Sequence, residues 1–143
     1  MKAVQQLHQD TFAMPKIELH AHIGGCFRPQ TFLELVEAKG ADLDKVDFYK
    51  VTTEVSFEFF KVGSKLVTDI ATLQRVVYEI IEDYSKQNCK YLELRSTPKA
   101  FAGSSIKSYA EAVIEAIKEA EQDFEIKVRY LVSINRNAGV ETA

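Results

Sequence analysis

Apolar and polar positions change their period several times along this chain, and each change marks an element. Ile17, Leu19, Ala21 and Ile23 alternate with Glu18, His20 and His22, which predicts a half-buried strand over residues 17–23. The period then becomes helical. Pro29 signals a helix start and Gly40 its stop, with Phe32, Leu35 and Val36 as the apolar stripe. Residues 41–53 read as a connecting loop, and a short helix over 55–66 offers Phe57 and Phe60. The clearest helical spacing follows: Ile70, Leu73, Val76, Val77, Ile80, Ile81 and Tyr84. A second strand over 90–95 runs into Ser96-Thr97-Pro98-Lys99. Ser108-Tyr109-Ala110-Glu111 is a capping-box pattern, predicting a helix with Val113, Ile114, Ile117 and Ala120 inward. A third strand covers 127–134 and ends at Asn135.

Strands alternating with helices predict βα units, a parallel sheet and right-handed crossovers with the helices outside. The three strands share one face pattern. With His20 and His22 inward, Glu18 also points inward, and Ile17, Leu19, Ala21 and Ile23 meet the helices. Leu92 and Leu94 take the helix side of the second strand and Glu93 and Arg95 the other. Val128, Tyr130, Val132 and Ile134 take the helix side of the third, opposite Arg129, Leu131, Ser133 and Asn135. A sheet between two helix layers would be apolar on both faces. One polar face suits a barrel, provided that Glu18, Glu93, Arg95 and Arg129 pair with one another in its lumen. A solvated sheet face is the alternative. In such barrels the chemistry sits at the carboxyl ends of the strands. His20 and His22, the 96–99 segment and Asn135 all lie there.

Composition narrows the class. The 143 residues are 46% hydrophobic, enough for one domain with a core. A net charge of -3 leaves no electrostatic footprint for nucleic acid. No apolar run reaches the span of a membrane helix, and residues 1–14 have no secretory core. Cys26 and Cys89 lack paired spacing, which predicts reduced thiols in a cytoplasmic protein. The paired-cysteine zinc signature of base deaminases is absent. Residues 1–14 read as an N-terminal extension or helix, and 15–143 as one barrel domain.

The candidate chemistry begins with His20 and His22, which leave one face of a strand and can grip one transition-metal ion. Gly24 and Gly25 then let the backbone turn closely. A metal-free, hydrogen-bonded pair is the competing reading.

The segment P-K-I-E-L-H-A-H (15–22) resembles the first-strand metal motif of the adenosine/AMP deaminase family, within the metal-dependent amidohydrolases. K-Y-L-E-L-R-S-T-P-K (90–99) resembles the branch that deaminates N6-methyl-AMP, and V-R-Y-L-V-S-I-N-R-N (128–137) continues the match. The resemblance implies a (β/α)8 TIM-type barrel, here incomplete: its first three parallel strands with flanking helices. It implies zinc as cofactor, with His20 and His22 as ligands, and a small-molecule purine nucleotide or nucleoside as substrate. The C6 amine or methylamine leaves, giving IMP or inosine. By position it places His22, Gly24, Ser64, Ser96, Thr97, Pro98, Lys99 and Asn135 against that substrate. Several depart from family habit: Gly24 stands where Asp or Asn is usual, Ser64 where a histidine is, Asn135 for Asp and Lys99 for Arg. The later family motifs (a third ligand histidine, the H-A-G-E glutamate, paired aspartates) do not occur. No catalytic residue is therefore expected within the chain, and those of the family are expected beyond Ala143. The chain reads as the N-terminal part of an enzyme, a monomer at full length and inactive alone. Two alternatives remain: a degenerate relative that keeps nucleotide or partner binding, and another amidohydrolase or phosphoesterase, against which S-T-P-K speaks.

Overall fold

The computed structural model describes residues 9–40 and 53–134, and of 53–58 the backbone only. Residues 9–13 are helical. Three strands follow in the chain, β1 (Lys16–His22), β2 (Cys89–Ser96) and β3 (Lys127–Val132), and form one parallel sheet in the order β1-β2-β3. Four helices connect them: α1 (Pro29–Lys39), α2 (Thr53–Leu66), α3 (Ile70–Lys86) and α4 (Ile106–Asp123). Three parallel strands with flanking helices are the expected opening of a (β/α)8 barrel.

Local chemistry explains most boundaries. Pro29 occupies the first turn of α1, and Gly40 ends it in the left-handed conformation, as its position in the sequence predicts. Asp69 caps α3 by accepting from the Thr72 amide at 2.8 Å. Ser105 caps α4 by accepting from the Ser108 amide at 3.0 Å, so that helix starts three residues before the predicted box. Thr53 is the first residue of α2, not the end of a loop. Residues 1–8, 41–52 and the segment from Asn135 to Ala143 lie outside the described residues, as does the side chain of Phe57.

The core lies between the sheet and α3 and α4. Leu73, Val77, Ile81, Leu92, Leu94, Val113 and Ala120 have no exposed surface. Ile114, expected inward, is instead exposed, and Tyr109, Ala112 and Ala116 complete the buried stripe of α4. Phe32 of α1 stacks on Phe59 of α2, ring centroids 4.6 Å apart. Arg28, between the first turn and α1, grips Asp83 through two nitrogens and Glu82 through one, fixing the chain to α3.

The face pattern of β1 departs from simple alternation. Glu18 pairs with Leu92 and Ala21 with Leu94, so β1 advances three residues while β2 advances two. This extra residue is a bulge, and it reverses the phase of the strand at its midpoint. Ala21 and Ile23 are buried as expected, but Ile17 and Leu19 are exposed, and Glu18 lies on the helix-covered side opposite Leu92. The predicted lumenal quartet therefore does not assemble. Glu93 and Arg95 pair at 3.7 Å, whereas Arg129 donates to the carbonyl of Val128. Val132 and Ile134, expected under helices, are exposed, because no described helix lies over that end of β3.

Candidate active site

The bulge aims the two histidines. His20 is exposed and His22 half-buried, and their Nε2 atoms come within 3.0 Å at the carboxyl end of β1. Burial, the His20 ring and the Arg95 guanidinium together hold His22 below the usual imidazole range, which favours its neutral form. Neutral imidazole is the ligating form. The residues left unmatched by the bulge are satisfied by side chains. The His20 amide donates to Glu18 Oε1 at 2.7 Å, and Arg95 Nη2 donates to the Leu19 carbonyl at 2.6 Å. Arg95 Nε is buried and has no protein partner.

Beyond β1 the chain makes a tight turn at residues Ile23–Gly25, and α2 packs directly onto it. Two glycines permit this. A Cβ on Gly25 would overlap the Phe60 ring, and one on Gly63 would overlap the Gly24 carbonyl oxygen and lie 3.0 Å from Phe27. The close approach brings Phe60 edge-on to His22, with centroids 5.7 Å apart, and carries Ser64 to the same mouth. Gly24 differs: nothing lies within 4 Å of its would-be Cβ, so that side of the turn is open space.

The third wall comes from the end of β2. A cleft of about 250 Å³ gathers His22, Gly24, Ser64, Ser96, Thr97 and Lys99, which the sequence had singled out. Pro98 does not line it, His20 stands at its edge beside His22, and Asn135 lies outside the described residues. The Ser96 hydroxyl is engaged with that of Tyr130 at 2.9 Å, towards the core. Ser64 donates to the Lys61 carbonyl within its own helix. Lys99 donates to the Ser64 carbonyl, capping the end of α2, and its ammonium lies 5.4 Å from the Phe101 ring centre. Burial lowers its pKa, as expected for a cation held in a partly closed cleft.

Phe60, Gly63, Arg95 and Tyr109 also line the cleft, and none was chosen from sequence as a site residue. Gly63 had a visible signal, a glycine inside a helical pattern. Arg95 had one too, its inward position at the end of the second strand, whereas Tyr109 had none.

The histidine pair has the spacing that two donors to one zinc ion would need. Two nitrogens each about 2.0–2.1 Å from one ion can stand 3.0 Å apart. Among the described residues, however, no group of three or more His, Cys, Asp or Glu residues suited to a metal forms. Catalytic zinc is held by three protein ligands, and the described residues supply two candidates.

Comparison with known proteins gives this cleft its context. A family model for adenosine deaminase matches residues 15–143. The N6-methyl-AMP deaminase of Bos taurus is 36% identical over 157 residues, covering 100% of this chain and 44% of the relative. The structure of arabidopsis ADAL complexed with IMP is 35% identical, with a TM-score of 0.76 over 90% of this chain and 43% of that one. An amidohydrolase from Burkholderia ambifaria with bound Zn is 28% identical, with a TM-score of 0.75 over 91% of this chain and 38% of that one. The chain thus spans less than half the length of the relatives it matches. The matched region takes in the histidine strand, the glycine turn and the end of β2, and the chain belongs to the adenosine deaminase family of hydrolases.

Proposed function

We propose that this chain is the N-terminal part of a cytoplasmic, zinc-assisted purine deaminase that hydrolyses the C6 substituent of a nucleoside monophosphate, with N6-methyl-AMP as the leading candidate. Water replaces the methylamine or amine, and IMP is the product. The observation that carries the reading is the His20–His22 pair, 3.0 Å apart and opening onto a cleft that also holds Lys99. A relative of this chain bears the name N6-methyl-AMP deaminase, and another was solved with IMP.

His20 and His22 are the residues that would hold zinc, whose bound form makes water acidic enough to ionise near neutral pH. The lowered pKa of His22 keeps a lone pair available there. Phe60 closes one side of the His22 ring and keeps water off it. Lys99 supplies the cation for a phosphate, exchanging the Ser64 carbonyl for a phosphate oxygen, with the exposed Thr97 hydroxyl beside it. Gly24 leaves room for the sugar where a side chain would fill it. A third zinc ligand and a proton donor are not among the described residues.

The test is calorimetric binding of IMP and inosine to the zinc-loaded chain and its Lys99→Ala variant. A charge-assisted hydrogen bond contributes about 1.5–3 kcal/mol. Lys99→Ala should therefore weaken IMP by about 10–100-fold and inosine by less than twofold. Equal loss for both ligands, or IMP affinity in Lys99→Ala equal to the parent's, would remove the phosphate assignment.

A further inference from the structure

We propose that Glu18 and Arg95 are positioning residues for the histidine pair: from opposite faces of the sheet they clamp the bulge that turns both imidazoles to its open side. The inference rests on the pair being metal donors, and it assigns work to two residues outside that pair.

The phase of β1 carries the argument. Glu18 lies opposite Leu92, a residue on the helix-covered face with no exposed surface. In a strand of unbroken alternation, His20 and His22 would follow Glu18 onto that face and into the core. The extra residue reverses this. Ala21 takes the place opposite Leu94, and His22 pairs with Arg95 on the open side. The bulge, and not the H-x-H spacing, therefore decides which way the imidazoles point.

A bulge leaves backbone groups without ladder partners, and Leu19 and His20 have none on β2 in the observed register. Both are answered by side chains. Glu18 Oε1 takes the His20 amide at 2.7 Å, and Arg95 Nη2 takes the Leu19 carbonyl at 2.6 Å. Glu93, 3.7 Å from Arg95, steadies the guanidinium, and Tyr91 donates to Glu93 at 3.1 Å. These charge-assisted bonds bracket the peptide that precedes the His20 side chain. Without them, the strand can slide towards the regular register and withdraw one or both rings.

The experiment compares Glu18→Ala, Glu18→Gln and Arg95→Ala with the parent chain by zinc calorimetry, with amide exchange at His20 as a metal-independent readout. Losing a partner that orients a ligand typically weakens metal binding 10–100-fold. Glu18→Ala should weaken zinc at least tenfold and speed exchange at His20 by a similar factor. Glu18→Gln keeps an acceptor and should stay within about threefold of the parent. Arg95→Ala should weaken zinc about tenfold. Glu18→Ala binding zinc as the parent does, or Glu18→Gln losing as much as Glu18→Ala, would overturn the proposal. If Glu18→Ala does not fold, Glu18→Gln and Arg95→Ala decide alone: parent-like affinity in Arg95→Ala, or a tenfold loss in Glu18→Gln, refutes it. If the two histidines alone hold zinc too weakly to measure, His20 exchange decides the clamp: parent-like exchange in Glu18→Ala, or exchange in Glu18→Gln as fast as in Glu18→Ala, overturns it.

Discussion

Gly63 is the position where a single methyl group tests the site's architecture. Gly63→Ala puts a Cβ into the Gly24 carbonyl oxygen and 3.0 Å from the Phe27 ring. Overpacking of this kind costs about 1–3 kcal/mol. Because the main obstacle is backbone, which cannot rotate away, the upper half of that range applies. Alanine returns about 0.8–1.0 kcal/mol through its higher helix propensity. The net loss should be about 1–2 kcal/mol. Gly24→Ala is the control, since its Cβ meets open space. It should be neutral or stabilise by up to about 1 kcal/mol through the unfolded chain. Urea unfolding reads both, and at a slope of about 1–3 kcal/mol per molar the midpoint of Gly63→Ala should fall by roughly 0.5–1 M with the slope unchanged. The displaced α2 should also carry Phe60 off His22. A Gly63→Ala midpoint at or above the parent's would refute the close packing of α2 on the turn.

Other substitutions probe the frame. Asp69→Ala should cost about 1 kcal/mol at pH 7, because the cap on α3 is lost. The Thr72 amide is the largest cause holding the Asp69 carboxyl below 3.8, so its contribution is complete above that value and fades as pH falls through the lower, folded value. The gap between parent and variant in acid titrations should therefore narrow towards pH 2, and a gap constant with pH would remove the ionised cap. Leu92→Ala should cost about 2–5 kcal/mol in the same urea assay, and a loss under 1 would mean that β2 is not central to the core. His22 sits below 6.5 when folded, so the unfolded chain binds its proton first and stability drops as pH falls below 6.5. His22→Asn should flatten that part of the profile; an unchanged slope would place the titration elsewhere.

What the sequence revealed and what it concealed divide along a physical line. Element type, order and the parallel sheet followed from periodicity, because the stripe from Ile70 to Tyr84 and the apolar sides of Leu92, Leu94 and Val128 each belong to one face throughout. The residues at the strand ends followed from motif and position, and five of them share one cleft with Ser64 of α2. The failures all depend on partners distant in sequence. Alternation in residues 17–23 is regular on paper, yet the register that β2 imposes is not, and only the pairing of Glu18 with Leu92 and Ala21 with Leu94 exposes the phase change. For the same reason Glu18 looked lumenal and proved to be a support, while Arg95 looked like one member of a charge quartet and instead grips a backbone carbonyl. Ser96 shows the limit in another way. Its hydroxyl was a reasonable phosphate donor by position, but a tyrosine 34 residues later occupies it first. Hydroxyls and charges near a strand end announce that a polar site exists. Which of them serve a ligand and which hold the strand is settled by competition among neighbours, and at this cleft the backbone had claims on Glu18, Arg95 and Lys99 before any ligand did.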